Sequence, residues 1–189
     1  MLLLFSSMSY IVIMKKIILF TVLAFVLKPC LGQVKKEEFS NSELFSAKSG
    51  TLIEKEFIDV GNVGKTEIQV LKITDMISGE SLRSLRITKE IRDNYSTNTK
   101  IAHLDSDEID GLIKSMYVIK ESVFGTQAPN YTEITFRSRS GFEAGCFWSK
   151  NDWSTYLQIK KYDRKSMVWL KPDEFNQFLE VLELAKSKI

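Results

Sequence analysis

Histidine is nearly missing from this chain: His103 is the only one in 189 residues. That excludes a metal centre built from several histidines and leaves one side chain that titrates near neutral pH. Asp105 stands close to it, but no catalytic partner is written beside it, and His103 reads as a surface residue. Cysteine is scarce as well. Of Cys30 and Cys146, the first falls in the leader described below, so Cys146 has no intramolecular disulfide partner and stability must come from a core. Alternation in "GFEAGCFWS" groups Cys146 with Phe142, Ala144 and Trp148, an apolar set, so it reads as a buried structural cysteine rather than a nucleophile. Absent too are a GxSxG elbow, a phosphate-cradling glycine loop, an HExxH pair and paired-cysteine metal spacing. The sequence therefore nominates no catalytic residue, no metal site and no cofactor.

No apolar run is long enough for a membrane span. The run from Ile17 to Leu27 has eleven residues, about 16 Å as a helix against ~30 Å of hydrocarbon. It follows Lys15 and Lys16 and ends in a short polar stretch closed by Gly32, the layout of a secretory signal peptide over residues 1–32. The expectation is cleavage after Gly32 and export to a periplasmic, cell-surface or secreted location, with no permanent membrane span in the mature chain. Met14 immediately precedes the lysine pair and is an alternative start. Lys28 and Pro29 stand where a lipobox needs small residues, which argues against lipidation at Cys30.

A surplus of one charge is also lacking. Three of the 26 basic residues (Lys15, Lys16 and Lys28) lie in residues 1–32, so 23 remain against 24 acidic ones, a net charge of −1. Such a chain has no bulk electrostatic pull toward nucleic acid or an anionic membrane.

What the sequence does contain is a repeat. "HLDSDEIDGLIKSM" from His103 returns 66 residues later as "WLKPDEFNQFLEVL" from Trp169. Ile109, Leu112, Ile113 and Met116 correspond to Phe175, Phe178, Leu179 and Leu182, and the i, i+3, i+4, i+7 spacing places each set on one face of a helix. Asp105 with Glu108 is a capping pattern, and Pro172 suits a first helical turn. At the same offset "TEI" recurs at Thr66 and Thr132, and Gly79 aligns with Gly145. Strand-like runs precede each helix: "TLIEKEFIDV", "TEIQVLKITDMI", "SLRSLRITKEI" and "KIAHL", then "YTEITFRSRS", "FEAGCFWSK", "WSTYLQIKKY" and "SMVWL". The predicted fold class is α+β: two tandem strand-strand-strand-strand-helix units, about 50–122 and 123–189, sharing one core as a single domain 50–189. Residues 33–49 read as a flexible lead-in in which Phe39, Leu44 and Phe45 dock a short helix. "FGTQAPN" between the units reads as a hinge.

The carboxyl half carries the candidate site. Residues 124–178 hold twelve of the seventeen aromatics that follow Gly32. Alternation sets Glu133, Thr135, Arg137 and Arg139 opposite Ile134 and Phe136, and Tyr156, Gln158 and Lys160 opposite Trp153, Leu157 and Ile159. If these rows adjoin, Arg137, Arg139, Tyr156 and Lys160 form a surface for an anionic or carbohydrate ligand through charge-assisted hydrogen bonds and stacking. Asn94-Tyr95-Ser96 and Asn130-Tyr131-Thr132 fit the glycosylation acceptor pattern in loop-like settings.

In element order, the duplicated unit and the "AHLDSDEIDGLIKSM" segment entering its helix resemble the Whirly family of single-stranded DNA-binding proteins. The resemblance implies a nucleic-acid binder, but no functional residue carries over: the lysine-glycine-rich binding stretch is missing, and a leader and a net charge of −1 stand in its place. The reading is an exported, non-enzymatic binding or envelope-associated module, with an envelope protein as another partner class. The alternatives are a hydrolase-like enzyme with a site assembled from distant loops and a single-stranded nucleic-acid binder of Whirly-like topology.

Overall fold

Alternating apolar and polar residues interrupted by turns, at Gly64, Gly79 and Gly141 among others, make the eight strands of the described residues, and two stretches of 3.6-residue periodicity make the long helices. The computed structural model describes residues 39–93 and 95–189. The expected leader with Met14 and Cys30, residues 33–38 and Asn94 lie outside the described residues. The elements are α1 (Asn41–Ser46), β1 (Ile53–Val63), β2 (Thr66–Asp75), β3 (Ser81–Asp93), β4 (Ser96–Asp105) and α2 (Ser106–Val118), continued by a π-helical turn at Ile119–Val123. Then come β5 (Thr132–Arg137), β6 (Glu143–Ser149), β7 (Asp152–Gln158), β8 (Met167–Leu170) and α3 (Pro172–Lys186). β1 to β4 form one antiparallel sheet in sequence order and β5 to β8 a second, each followed by a helix, an α+β fold of two four-strand-plus-helix units.

Both helix starts are fixed by the same device. The Glu108 carboxylate accepts the Asp105 N–H at 2.9 Å and Glu174 accepts that of Lys171 at 2.8 Å, so a third-position glutamate reaches back at each entry. The apolar faces, Ile109, Leu112, Ile113 and Met116 on α2 and Phe175, Phe178, Leu179 and Leu182 on α3, are all buried in one cluster with the inward residues of both sheets. The helices do not each keep to their own sheet. Val181 of α3 packs at Gly61 of β1, where a Cβ would lie 3.1 Å from its Cγ2, and Gln177 donates to the Asn62 carbonyl at 3.0 Å. In return, a Cβ on Gly111 of α2 would meet Phe136 of β5 at 3.5 Å. Full burial of a side chain such as Phe178 contributes ~1.5–3 kcal/mol, and here it joins the two halves.

Three expectations change. The "TEI" match is out of step by one strand: Thr66 opens β2, the second strand of its sheet, whereas Thr132 opens β5, the first. Gly79 sits in a turn at φ 78° and Gly145 in mid-strand, so the equivalence holds at the helices and fails upstream. Within the expected flexible lead-in, Asn41–Ser46 is a docked helix, with the Ser40 hydroxyl accepting from Glu43 N–H at 3.1 Å. Its anchors are polar rather than Phe39 and Leu44, which are exposed. The Asp105 carboxylate accepts the N–H groups of Asn41 (2.7 Å) and Ser42 (3.1 Å), satisfying the free donors of the first turn. Finally, the expected hinge is pinned at its start, where Phe124 stacks edge-on against Phe175 at 5.0 Å and the Thr126 carbonyl accepts from Trp153 Nε1 at 2.9 Å.

Candidate functional site

Each sheet has a second face, turned away from α2 and α3, and strand register makes the two faces comparable. Two residues before each helix cap lie His103 and Trp169. Reading across the strands from them gives the row Asp59, Gln69, Arg86, His103 in the first sheet. In the second it gives Thr135, Gly145, Tyr156, Trp169.

The first row is a chain of polar contacts. Gln69 Nε2 donates to Asp59 at 2.7 Å and to Glu67 at 3.1 Å, which turns its carbonyl toward the Arg86 guanidinium, itself lying over the Phe57 ring at 5.2 Å. His103 is half-buried and its Nδ1 has no partner. Burial pushes its pKa below the usual 6.5, with Arg86, Lys160 and Lys55 acting in the same direction and Glu43 opposing them. In the adjoining row Leu71 and Ser84 are buried on this outward face, where α1 docks at Asp105.

The second row is different. Tyr156 reaches across β6 to bond Thr135 Oγ1 at 2.9 Å, a path open because the residue between them, Gly145, has no side chain. A Cβ there would lie 2.1 Å from the Ile134 carbonyl oxygen, so glycine also permits the close approach of β5. The ring covering Gly145 leaves Tyr156 only 7% exposed and raises its pKa by desolvation. Around it, ring centroids run Tyr131 to Phe147 at 6.0 Å, Phe147 to Tyr156 at 6.3 Å, Phe147 to Trp169 at 5.7 Å and Tyr156 to Trp169 at 6.3 Å. These separations are those of interacting aromatic pairs. Tyr131 and Trp169 are 64% and 57% exposed, so the cluster forms a platform open to solvent.

The four residues nominated from sequence do not form one surface. Arg137 and Tyr156 belong to the second sheet's outward face, where Arg137 pairs with Glu143 at 2.7 Å. Arg139 does not, because β5 ends at Arg137 and the chain turns. Its guanidinium pairs with Asp105 and, at 2.7 Å, Asp107, while its main-chain N–H donates to Glu108 at 2.6 Å. Lys160 lies past the end of β7, its Nζ 4.0 Å from Glu43 on α1. Arg139 and Lys160 therefore tie the second unit to the first. Asp105, Asp107 and Glu108 can bring one oxygen each within 4.8 Å of one another, and all three carboxylates bind Arg139. Cys146 is buried without exposure, and desolvation pushes its thiol up to about 11, far from nucleophilic poise.

Phe147, Trp169 and Tyr131 were not nominated from sequence. Alternation outward from Cys146 assigns Phe147 to the open face, so that signal was present for one of the three. No protein-family model, curated protein or solved structure matches the chain. The Whirly resemblance thus stays one of element order.

Proposed function

We propose that this chain is an exported, non-enzymatic binding module whose ligand is a neutral saccharide held on the outward face of the second sheet. The observation that carries the reading is the aromatic platform, in which the exposed Tyr131 and Trp169 flank the half-buried Phe147 over the buried Tyr156. The apolar C–H face of a pyranose ring packs on such rings while its hydroxyls find polar neighbours, here Thr135, Gln158 and Glu133, on the same face. Charge favours a neutral ligand over an anion. Within the strands this face presents the carboxylates of Glu133, Glu143 and Asp152 against one cation, Arg137, which Glu143 already engages. An anion would meet repulsion there.

Titration with a panel of neutral and acidic oligosaccharides, followed by tryptophan fluorescence, tests the proposal. Neutral glycans should perturb the signal, and Trp169→Ala should weaken binding at least tenfold. A panel without any response, or undiminished binding by that variant, would overturn it.

A further inference from the structure

β8 is short. It pairs with β7 only between Thr155 and Gln158, and after Leu170 the chain leaves the sheet for Pro172 and α3. In the first sheet the corresponding place, around Ser84 and Asp105, is closed by α1. In the second a pocket of about 630 Å³ lies beside Ser154, lined by Phe124, Trp153, Trp169, Leu170, Pro172 and Phe175. That is a size typical of ligand pockets, ~300–1,000 Å³. It is continuous with the platform: Trp169 bounds both, and Ser154 is the cross-strand neighbour of Phe147.

The polar side chains on the inward side of the pocket are engaged: Trp153 Nε1 donates to the Thr126 carbonyl at 2.9 Å and Thr155 Oγ1 to the Leu170 carbonyl at 2.8 Å. Ser154 and Asp152 alternate onto the outward face of β7, on the platform side. Past them the walls are Phe124, Leu170, Pro172 and Phe175, where an occupant's polar groups would go unmet and a hydrocarbon has none. We infer that the pocket takes the alkyl chain of an amphiphile whose sugar lies on the platform, so that the natural ligand is a glycolipid rather than a free glycan. This rests on the saccharide reading above.

Three probes separate the two ideas: methyl β-glucoside, octyl β-glucoside below its micelle concentration, and octanol, each titrated by tryptophan fluorescence. The expected result is that octyl glucoside binds at least tenfold more tightly than either of the others, and that Phe124→Ala narrows its lead over methyl glucoside. Equal affinity for methyl and octyl glucosides would overturn the pocket assignment and leave the platform reading standing. Octanol binding as tightly as octyl glucoside would overturn the shared ligand and, with it, the platform's part in sugar binding.

Discussion

The two outward rows occupy the same frame and have been used in opposite ways. In the first, Asp59, Gln69, Arg86 and His103 sit beside a docked helix, and the polar atoms of that row largely satisfy one another. In the second, the row Thr135, Gly145, Tyr156 and Trp169 supports the exposed rings of Trp169 and neighbouring Tyr131, and no helix among the described residues docks there as α1 does on the first. Scattered exposed apolar residues are ordinary, but a contiguous aromatic cluster on a sheet face is the pattern of an interaction site. A row that hydrogen-bonds within itself has little left to offer a ligand. The contrast therefore fits a structural role for the first face and supports the binding role proposed for the second, although the backbones are alike.

The largest effects should come from the part the two units share. Leu112→Ala and Leu179→Ala should each cost about 2–5 kcal/mol, and each should move one common transition in chemical denaturation because both side chains lie in one core. Two separable transitions would break the comparison, since the halves would then be independent. Next comes the pair at the helix entries. Asp105→Ala strips the first turn of α1 of two acceptors and Arg139 of a partner, an expected loss of about 2–3 kcal/mol after allowing for the exposure of Arg139. The equivalent Lys171→Ala should stay within about 0.5 kcal/mol. Equal losses at both positions would mean that α1 docking is not what distinguishes the faces.

Gly145→Ala should cost about 1–3 kcal/mol through overpacking against β5, and the fluorescence of the platform tryptophan should change with it. A smaller effect is expected from pH. Burial holds His103 below its usual 6.5, so the unfolded chain takes up a proton that the folded chain resists. The stability due to neutral His103 is complete above pH ~6.5 and is lost as pH falls below it. Denaturation midpoints should drop between pH 7 and 5.5, and less so in His103→Gln; identical drops would place the titrating group elsewhere. Asp75 and Asp163, which are held below 3.8 by hydrogen bonds from Thr51 and Lys100, act at lower pH and do not enter this window. Smallest of all, Trp169→Ala should leave stability within about 0.5 kcal/mol, because what it removes is mostly exposed.

Much of this architecture is legible in the sequence, for reasons that particular residues make plain. "SLRSLRITKEI" alternates long enough to fix a strand, and the spacing of Phe175, Phe178, Leu179 and Leu182 fixes a helix face. Arg139 was misplaced because "RSRS" continues the alternation past the end of β5. The turn there is set instead by Gly141 at φ 84° and by the Ser138 N–H donating to the Phe142 carbonyl at 2.9 Å. Trp169 escaped because β8 has four residues, too few for a period to declare a face. α1 was foreseen only as a helix docked by Phe39, Leu44 and Phe45, because its actual anchor, Asp105, is 64 residues from Asn41. Local pattern does not report a contact of that range.

That separation also sets an order of events. Six residues are far too few for a helix to persist alone in water, where ~12–15 are marginal. The carboxylate that completes the first turn of α1 is in place only after β4 has paired and α2 has begun. α1 is therefore the first described element to leave the ribosome and the last to take its shape. It should open ahead of global unfolding and exchange its amide hydrogens sooner than the strands beneath it.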